Sequence, residues 1–259
     1  MIDTHCHLSS SRYKKDRPQV MARARAAGVT HFIEVGYDLA TSRRSTELAA
    51  AERDVWATVG VHPHEVAKVE EAGAARDTRA ELERLCRAPR VVAVGEVGLD
   101  FYRNLSPADV QRRWFHDQLA LAAEESLPVV IHTRDAMDEV LDTLERLAPP
   151  RRGVLHCYSG DATQARRAVD LGFCVAFGGT LTYGEPRLEE AARAVPREAL
   201  VLETDAPYLV PMPKDTKRNE PALLSRVRAR LAALRGESEG EVDAFTTQNA
   251  LRLFAIGAS

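Results

Sequence analysis

His5 and His7 stand two residues apart in Asp3-Thr4-His5-Cys6-His7-Leu8. On a strand, alternate side chains share a face, so both imidazoles point one way and Cys6 the other. Two imidazoles converging on one point make half of a metal site. Other ligand-type residues recur along the chain. They are His62 and His64 in Gly60-Val61-His62-Pro63-His64, Glu96 in Gly95-Glu96-Val97-Gly98, His132 in Ile131-His132-Thr133, His156 in His156-Cys157-Tyr158, and Asp205 in Thr204-Asp205-Ala206-Pro207.

Eight short apolar, β-branched runs precede or hold these residues, near 2–4, 31–35, 55–59, 91–94, 129–131, 153–155, 173–177 and 199–202. Continuous apolar runs of this length suit strands buried on both faces, as parallel sheets require. The stretches between them read as helices. The clearest has Ser106 as expected N-cap, Pro107 at the first helical position and Asp109 in its first turn. Val110, Trp114, Phe115, Leu119 and Ala122 recur along it at helical spacing. A second helical stretch runs near 187–194. Two more close the chain, one between Pro221 and Gly236 and one near 241–254. Strand and helix alternating eight times predict an α/β fold, a single TIM-type (β/α)8 barrel over residues 1–259. The alternative is a doubly wound open sheet, but no strand carries G-x-G-x-x-G or a P-loop.

In such a barrel the strand C-terminal ends converge on one face. Six of the eight histidines lie near an expected strand end. His31, which opens its strand, and His116, mid-helix, read as structural. His5, His7, Glu96, His132, His156 and Asp205 form a coherent ligand set. Six ligands suit two ions sharing a carboxylate, with Glu96 as the bridge. His5, His7 and Asp205 would complete one ion, and His132 and His156 the other. Asp205 is expected as general base. His62, Arg103 and Arg218 are expected at the substrate, because guanidinium forks match phosphate. Asp3, Glu34 and Asp100 are candidates for orienting ligands from behind. Gly178-Gly179 suits close approach of substrate to backbone.

The chain has 259 residues, 45% hydrophobic and 28% charged, with net charge −3. No global positive field draws it to nucleic acid or anionic membrane, so a polyanion needs a local basic patch or metal. Cys6, Cys86, Cys157 and Cys174 form no C-x-x-C pair or disulfide framework. No leader and no apolar run of about 18 residues is evident. The expectation is a cytoplasmic protein with no membrane contact.

These motifs together resemble the TatD family of metal-dependent deoxyribonucleases, within the amidohydrolase-like superfamily. The resemblance rests on Ile2-Asp3-Thr4-His5-Cys6-His7-Leu8, Gly95-Glu96-Val97-Gly98-Leu99-Asp100, Leu127-Pro128-Val129-Val130-Ile131-His132-Thr133-Arg134 and His156-Cys157-Tyr158-Ser159-Gly160. It continues through Glu203-Thr204-Asp205-Ala206-Pro207-Tyr208 and Arg218-Asn219-Glu220-Pro221. It implies a TIM-type barrel and two divalent ions held by the same six residues. It also implies hydrolysis of DNA phosphodiesters, often as a 3′-to-5′ exonuclease on single strands or 3′ ends, in DNA repair. Tyr158 stands where the family commonly has Phe, and 210–214 departs from the usual wording. The family usually works with magnesium, whereas this many imidazoles suit zinc or manganese. Two other readings fit the same ligands: an amide or ester hydrolase such as a D-aminoacyl-tRNA deacylase, and a non-catalytic metal-binding scaffold. A bridging Glu96, rather than a carboxylated lysine, favours the nuclease.

Overall fold

The computed structural model describes residues 1–150 and 152–257. Its strands are β1 Ile2–Cys6, β2 His31–Val35, β3 Val55–Val59, β4 Val91–Asp100, β5 Val129–Arg134, β6 Gly153–Leu155, β7 Cys174–Phe177 and β8 Leu200–Leu202. The helices are α1 Arg17–Ala26, α2 Leu39–Ala51, α3 Val66–Glu71, α4 Ala75–Cys86, α5 Ala108–Glu124, α6 Met137–Leu147, α7 Ala162–Asp170, α8 Pro186–Ala194, α9 Leu224–Arg235 and α10 Glu239–Leu253. The strands run in the order β1 to β8 in one parallel sheet, with helices between them. This is the TIM-type (β/α)8 fold that the alternation predicts. By its internal contacts the chain divides into two compact units, Met1–Glu34 with His156–Ser259, and Val35–Leu155.

In the first unit, Leu8, Tyr13, Phe32, Ile33, Phe173 and Phe177 are fully buried. The end of β1 is clipped to the segment after β8. Asp205 N donates to His5 O at 2.9 Å, and His7 N to Ala206 O at 2.8 Å. Asp3 accepts from Thr204 N at 3.0 Å and from Thr204 Oγ1 at 2.6 Å. The buried Asn219 side chain donates to Thr204 O at 2.7 Å. It bolts the Asp205 segment, and Pro221–Leu223 forms a short 3-10 turn before α9. Gly236, left-handed at φ +65°, ends α9 where a side chain would be strained.

In the second unit, β4 and β5 pair from Val94–Val129 to Asp100–Arg134. Both strands run past their apolar runs, because their pairing continues: β4 stays buried as far as Asp100, while β5 ends on the exposed Arg134. The register shifts between Val94 and Val97, so a bulge falls at Glu96 and re-aims its side chain. Glu96 N donates to Gly36 O at 2.7 Å, and Thr58 Oγ1 to Gly95 O at 2.7 Å, pinning the bulge. α5 begins at Ala108 with Pro107 as its cap. Ser106 is not that cap: its hydroxyl instead accepts from Ala67 N at 3.1 Å.

Gly98 pairs with His132 across these strands at φ +138°, and a Cβ on it would sit 2.0 Å from His132 O. Backbone strain and overpacking each cost about 1–3 kcal/mol. Gly98→Ala should therefore lose at least about 2 kcal/mol in urea unfolding. A variant as stable as wild type would show that this close approach relaxes freely.

Candidate metal centre

The first unit holds one cluster. β1 aims His5 inward, and His7 follows one residue beyond it; both are buried. His5 Nε2 lies 3.3 Å from His7 Nε2, and Asp205 Oδ1 lies 3.7 Å and 3.4 Å from these atoms. Ligand atoms bound about 2.1 Å from a tetrahedral ion lie roughly 3.4 Å apart. The spacing of these three atoms therefore fits a divalent metal, and the carboxylate supplies the negative charge. Burial opposes ionisation of Asp205, but the His7 hydrogen bond and the His5, His7 and His156 rings hold its carboxyl below the usual range. Its backbone is left-handed, φ +52°, a conformation aspartate tolerates better than most residues.

His156, just past β6, stacks on His5 with centroids 3.9 Å apart. Its Nδ1 lies 3.4 Å from Oε1 of the fully buried Glu203, which also accepts from Cys157 N at 2.7 Å. The Glu203 carboxylate thus stands behind the ring at ion-pair distance, without hydrogen-bond geometry to Nδ1. Glu34 acts further out. It accepts from Leu8 N at 2.5 Å and Ser9 N at 2.9 Å, holding the turn that follows His7. Burial pushes the Asp3 carboxyl up to about 8, against its hydrogen bonds from Thr204 and the His5 N–H.

The second unit holds the other cluster. Glu96 Oε1 is 3.0 Å from His132 Nδ1 and 3.3 Å from His62 Nε2. On the far side of the same ring, His132 Nε2 is 3.1 Å from Asp100 Oδ2, which also pairs with His64 Nε2 at 2.7 Å. A carboxylate on one imidazole nitrogen fixes the tautomer and directs the other nitrogen at a metal. Asp100 therefore orients His132, as its position suggests. Burial opposes its ionisation, but the His132, Arg103 N–H and His64 hydrogen bonds hold it well below the carboxylate range. His62, His64 and His132 also form a group with metal-ligand spacing. His64 is thereby part of this cluster.

Two further residues of this unit escaped sequence reading. Gln111 accepts from Asp100 N at 2.8 Å and donates to Asp100 O at 3.1 Å. Gln118 accepts from Val61 N at 2.7 Å and donates to Val61 O at 3.0 Å. These α5 amides grip the backbone at Asp100 and immediately before His62. The signal was present: two glutamines seven residues apart on the stripe that carries Trp114 and Phe115, where an apolar face should be apolar.

Of the expected substrate contacts, Arg103 is exposed, and its N–H donates to Asp100 Oδ1 at 2.7 Å. Arg218 is engaged within its own unit. It pairs with Asp16 and, at 3.2 Å, with Glu220, donates to Arg12 O at 2.5 Å, and lies over the Tyr13 ring. Gly179 is close to its own chain: a Cβ there would meet Leu209 O at 2.0 Å. Its lack of a side chain accommodates the Leu209 segment.

Burial lowers His62 from 6.5 to about 4, against the attraction of Glu96. Between those values the unfolded chain binds a proton that the folded chain refuses. Stability is therefore full above about pH 6.5 and falls as pH drops toward 4, by about 3 kcal/mol at most. In EDTA, wild type should lose more stability between pH 7.5 and 4.5 than His62→Gln. Equal losses in urea titrations would remove His62 as the cause.

The TatD related DNase family matches residues 2–255 of the chain. The 3′-5′ ssDNA/RNA exonuclease TatD of Klebsiella pneumoniae is 40% identical over 265 residues, 99% of this chain and 98% of the relative. The uncharacterized metal-dependent hydrolase YabD of Bacillus subtilis is 36% identical over 258 residues, 99% of each. The crystal structure of YJJV, a TatD homolog from Escherichia coli K12, superposes with a TM-score of 0.92 at 32% identity, covering 99% of this chain and 98% of that one. Metal dependence in a relative's name agrees with ligand-spaced groups in both units, His5, His7 and Asp205 in the first and His62, His64 and His132 beside Glu96 in the second. With the match running nearly end to end, the chain belongs to the TatD related DNase family and is a metal-dependent hydrolase.

Proposed function

We propose that the protein hydrolyses phosphodiester bonds in single-stranded DNA or RNA from the 3′ end, using two divalent ions held by His5, His7, Glu96, His132, His156 and Asp205. Residues 1–259 act as one catalytic domain in this reading. The observation that carries it is the geometry of the two clusters, each joining imidazoles to a buried or nearly buried carboxylate at 3.0–3.7 Å. Relatives named 3′-5′ ssDNA/RNA exonuclease supply the substrate class. Magnesium, manganese and zinc are the candidate ions; bound, they supply Lewis-acid stabilisation of the phosphoryl oxygens.

The chain's own residues do the rest. Asp205, held ionised, takes the proton of the attacking water at a carboxylate oxygen as oxygen adds to phosphorus and the bond to the leaving alcohol breaks. Glu96 would be the carboxylate that the two ions share. Asp100 keeps His132 in one tautomer, and the Glu203 carboxylate stands behind His156. His62, neutral at physiological pH, and Arg103 meet the substrate phosphate. The four free cysteines suit a reduced, cytoplasmic setting, and no described helix is long and apolar enough to cross a membrane.

The test is cleavage of 5′-labelled single-stranded DNA, RNA and duplex, in EDTA and then with each metal singly. Stepwise shortening of the single strands, restored by metal and absent in EDTA, is expected. No cleavage of any of them with any metal would overturn the reading.

A further inference from the structure

Six large apolar side chains are exposed among the described residues, and three of them, Tyr183, Tyr208 and Met212, lie on two segments of the first unit that are bonded together. Met212 N donates to Thr182 Oγ1 at 2.7 Å, and Tyr183 OH to Val210 O at 3.0 Å. Single exposed apolar residues are ordinary on a protein surface; a held group of them calls for a ligand. Each tyrosine also carries a cation on its face. Arg12 lies 5.1 Å from the Tyr208 centroid, and Lys214 Nζ lies 4.1 Å from that of Tyr183. Tyr208 and Tyr183 remain 43% and 39% exposed. Tyr208 stands three residues after Asp205 and meets the His7 ring edge-on, with centroids 5.9 Å apart. The aromatic surface therefore starts at a proposed metal ligand and leads away from it.

Exposed rings interleaved with cations are what a single strand needs. Bases stack on the rings without regard to sequence, and the cations meet the backbone. Duplex DNA hides its base faces and offers nothing to such a surface. A chain of net charge −3 has no general field to hold a polyanion, so the attraction must be local. Tyrosine also loses little entropy on binding, and the bond from Tyr183 to Val210 has already fixed one ring.

We propose that Tyr208 and Tyr183 form a stacking platform for successive bases of a single-stranded polynucleotide, with Arg12 and Lys214 placed for its phosphates. This rests on the nuclease reading for the substrate class, but it is tested by binding rather than cleavage. The probes are a labelled dodecathymidylate with hydrolysis-resistant phosphorothioate linkages and an abasic strand of the same length and linkage. Each is titrated by anisotropy into the full chain with Mg²⁺ present.

Tyr208→Ala should weaken dodecathymidylate binding about tenfold, and Tyr183→Ala by somewhat less, with changes under about twofold on the abasic strand. Tyr208→Trp should restore binding or tighten it. Equal weakening on both probes would mean lost charge or lost structure, and would overturn the platform. So would unchanged binding in both alanine variants, or a wild type that binds neither strand. A wild type that distinguishes the two probes yet cleaves no polynucleotide would keep the platform and refute the nuclease. Cleavage with unaltered binding in the alanine variants would do the reverse.

Discussion

Glu96→Ala is expected to remove metal-dependent cleavage almost entirely, with the bound metal falling below two equivalents per chain. Glu96 Oε1 is the atom that both His132 and His62 face, at 3.0 and 3.3 Å. Alanine leaves two imidazoles with no anion between them, so a dication loses both a ligand and its charge balance. Loss of a mere outer-shell partner costs about 10–100-fold in metal affinity or activity, and loss of a shared ligand should exceed that. The side chain is not needed to hold the backbone bulge, which rests on Gly36, Thr58 and Gly95 backbone and hydroxyl contacts. The variant should therefore fold. Metal content by atomic emission, alongside turnover on a labelled oligonucleotide, checks this. Full turnover with two ions retained would end the assignment of Glu96 as the bridge.

Asp205→Asn is expected to have an effect of comparable size for a different reason. The amide keeps the shape and one acceptor oxygen, so the left-handed turn and its hydrogen bonds to β1 should survive. It loses the charge that faces His5 and His7 and the capacity to take a proton. General-base action alone contributes about 10²–10⁴-fold. The expected signature is a fall in kcat of at least about 100-fold with a melting temperature near that of wild type. The acid limb of the pH–rate profile should also disappear if residual activity permits its measurement. A kcat within a few-fold of wild type would remove Asp205 from proton transfer.

Most of the fold was legible because strand and helix alternate with a plain rhythm. The runs 31–35, 55–59 and 153–155 coincide with β2, β3 and β6. The misses share a cause. β4 and β5 extend past their apolar runs to Asp100 and Arg134. Glu96, Asp100 and Thr133 are buried there although polar, and Arg134 is exposed yet still paired, so the hydrophobic pattern stops where the strand does not. Ser106 looked like a helix cap because its local neighbourhood has that chemistry. Its hydroxyl was claimed instead by Ala67, 39 residues away in sequence.

Within the site, the sequence by itself determined which side chains could be ligands, since residue type and the two-residue period of a strand carry that information. Only the tertiary structure decided how they are held. The clip between β1 and Asp205, the grip of Gln118 on Val61, and the Glu203 carboxylate behind His156 all join residues far apart in the chain. The same holds for Arg218, whose charge suggested a phosphate but whose nearest anions are Asp16 and Glu220. Local periodicity reports which face a side chain occupies. Which partner reaches it first depends on distances that exist only after the chain has folded.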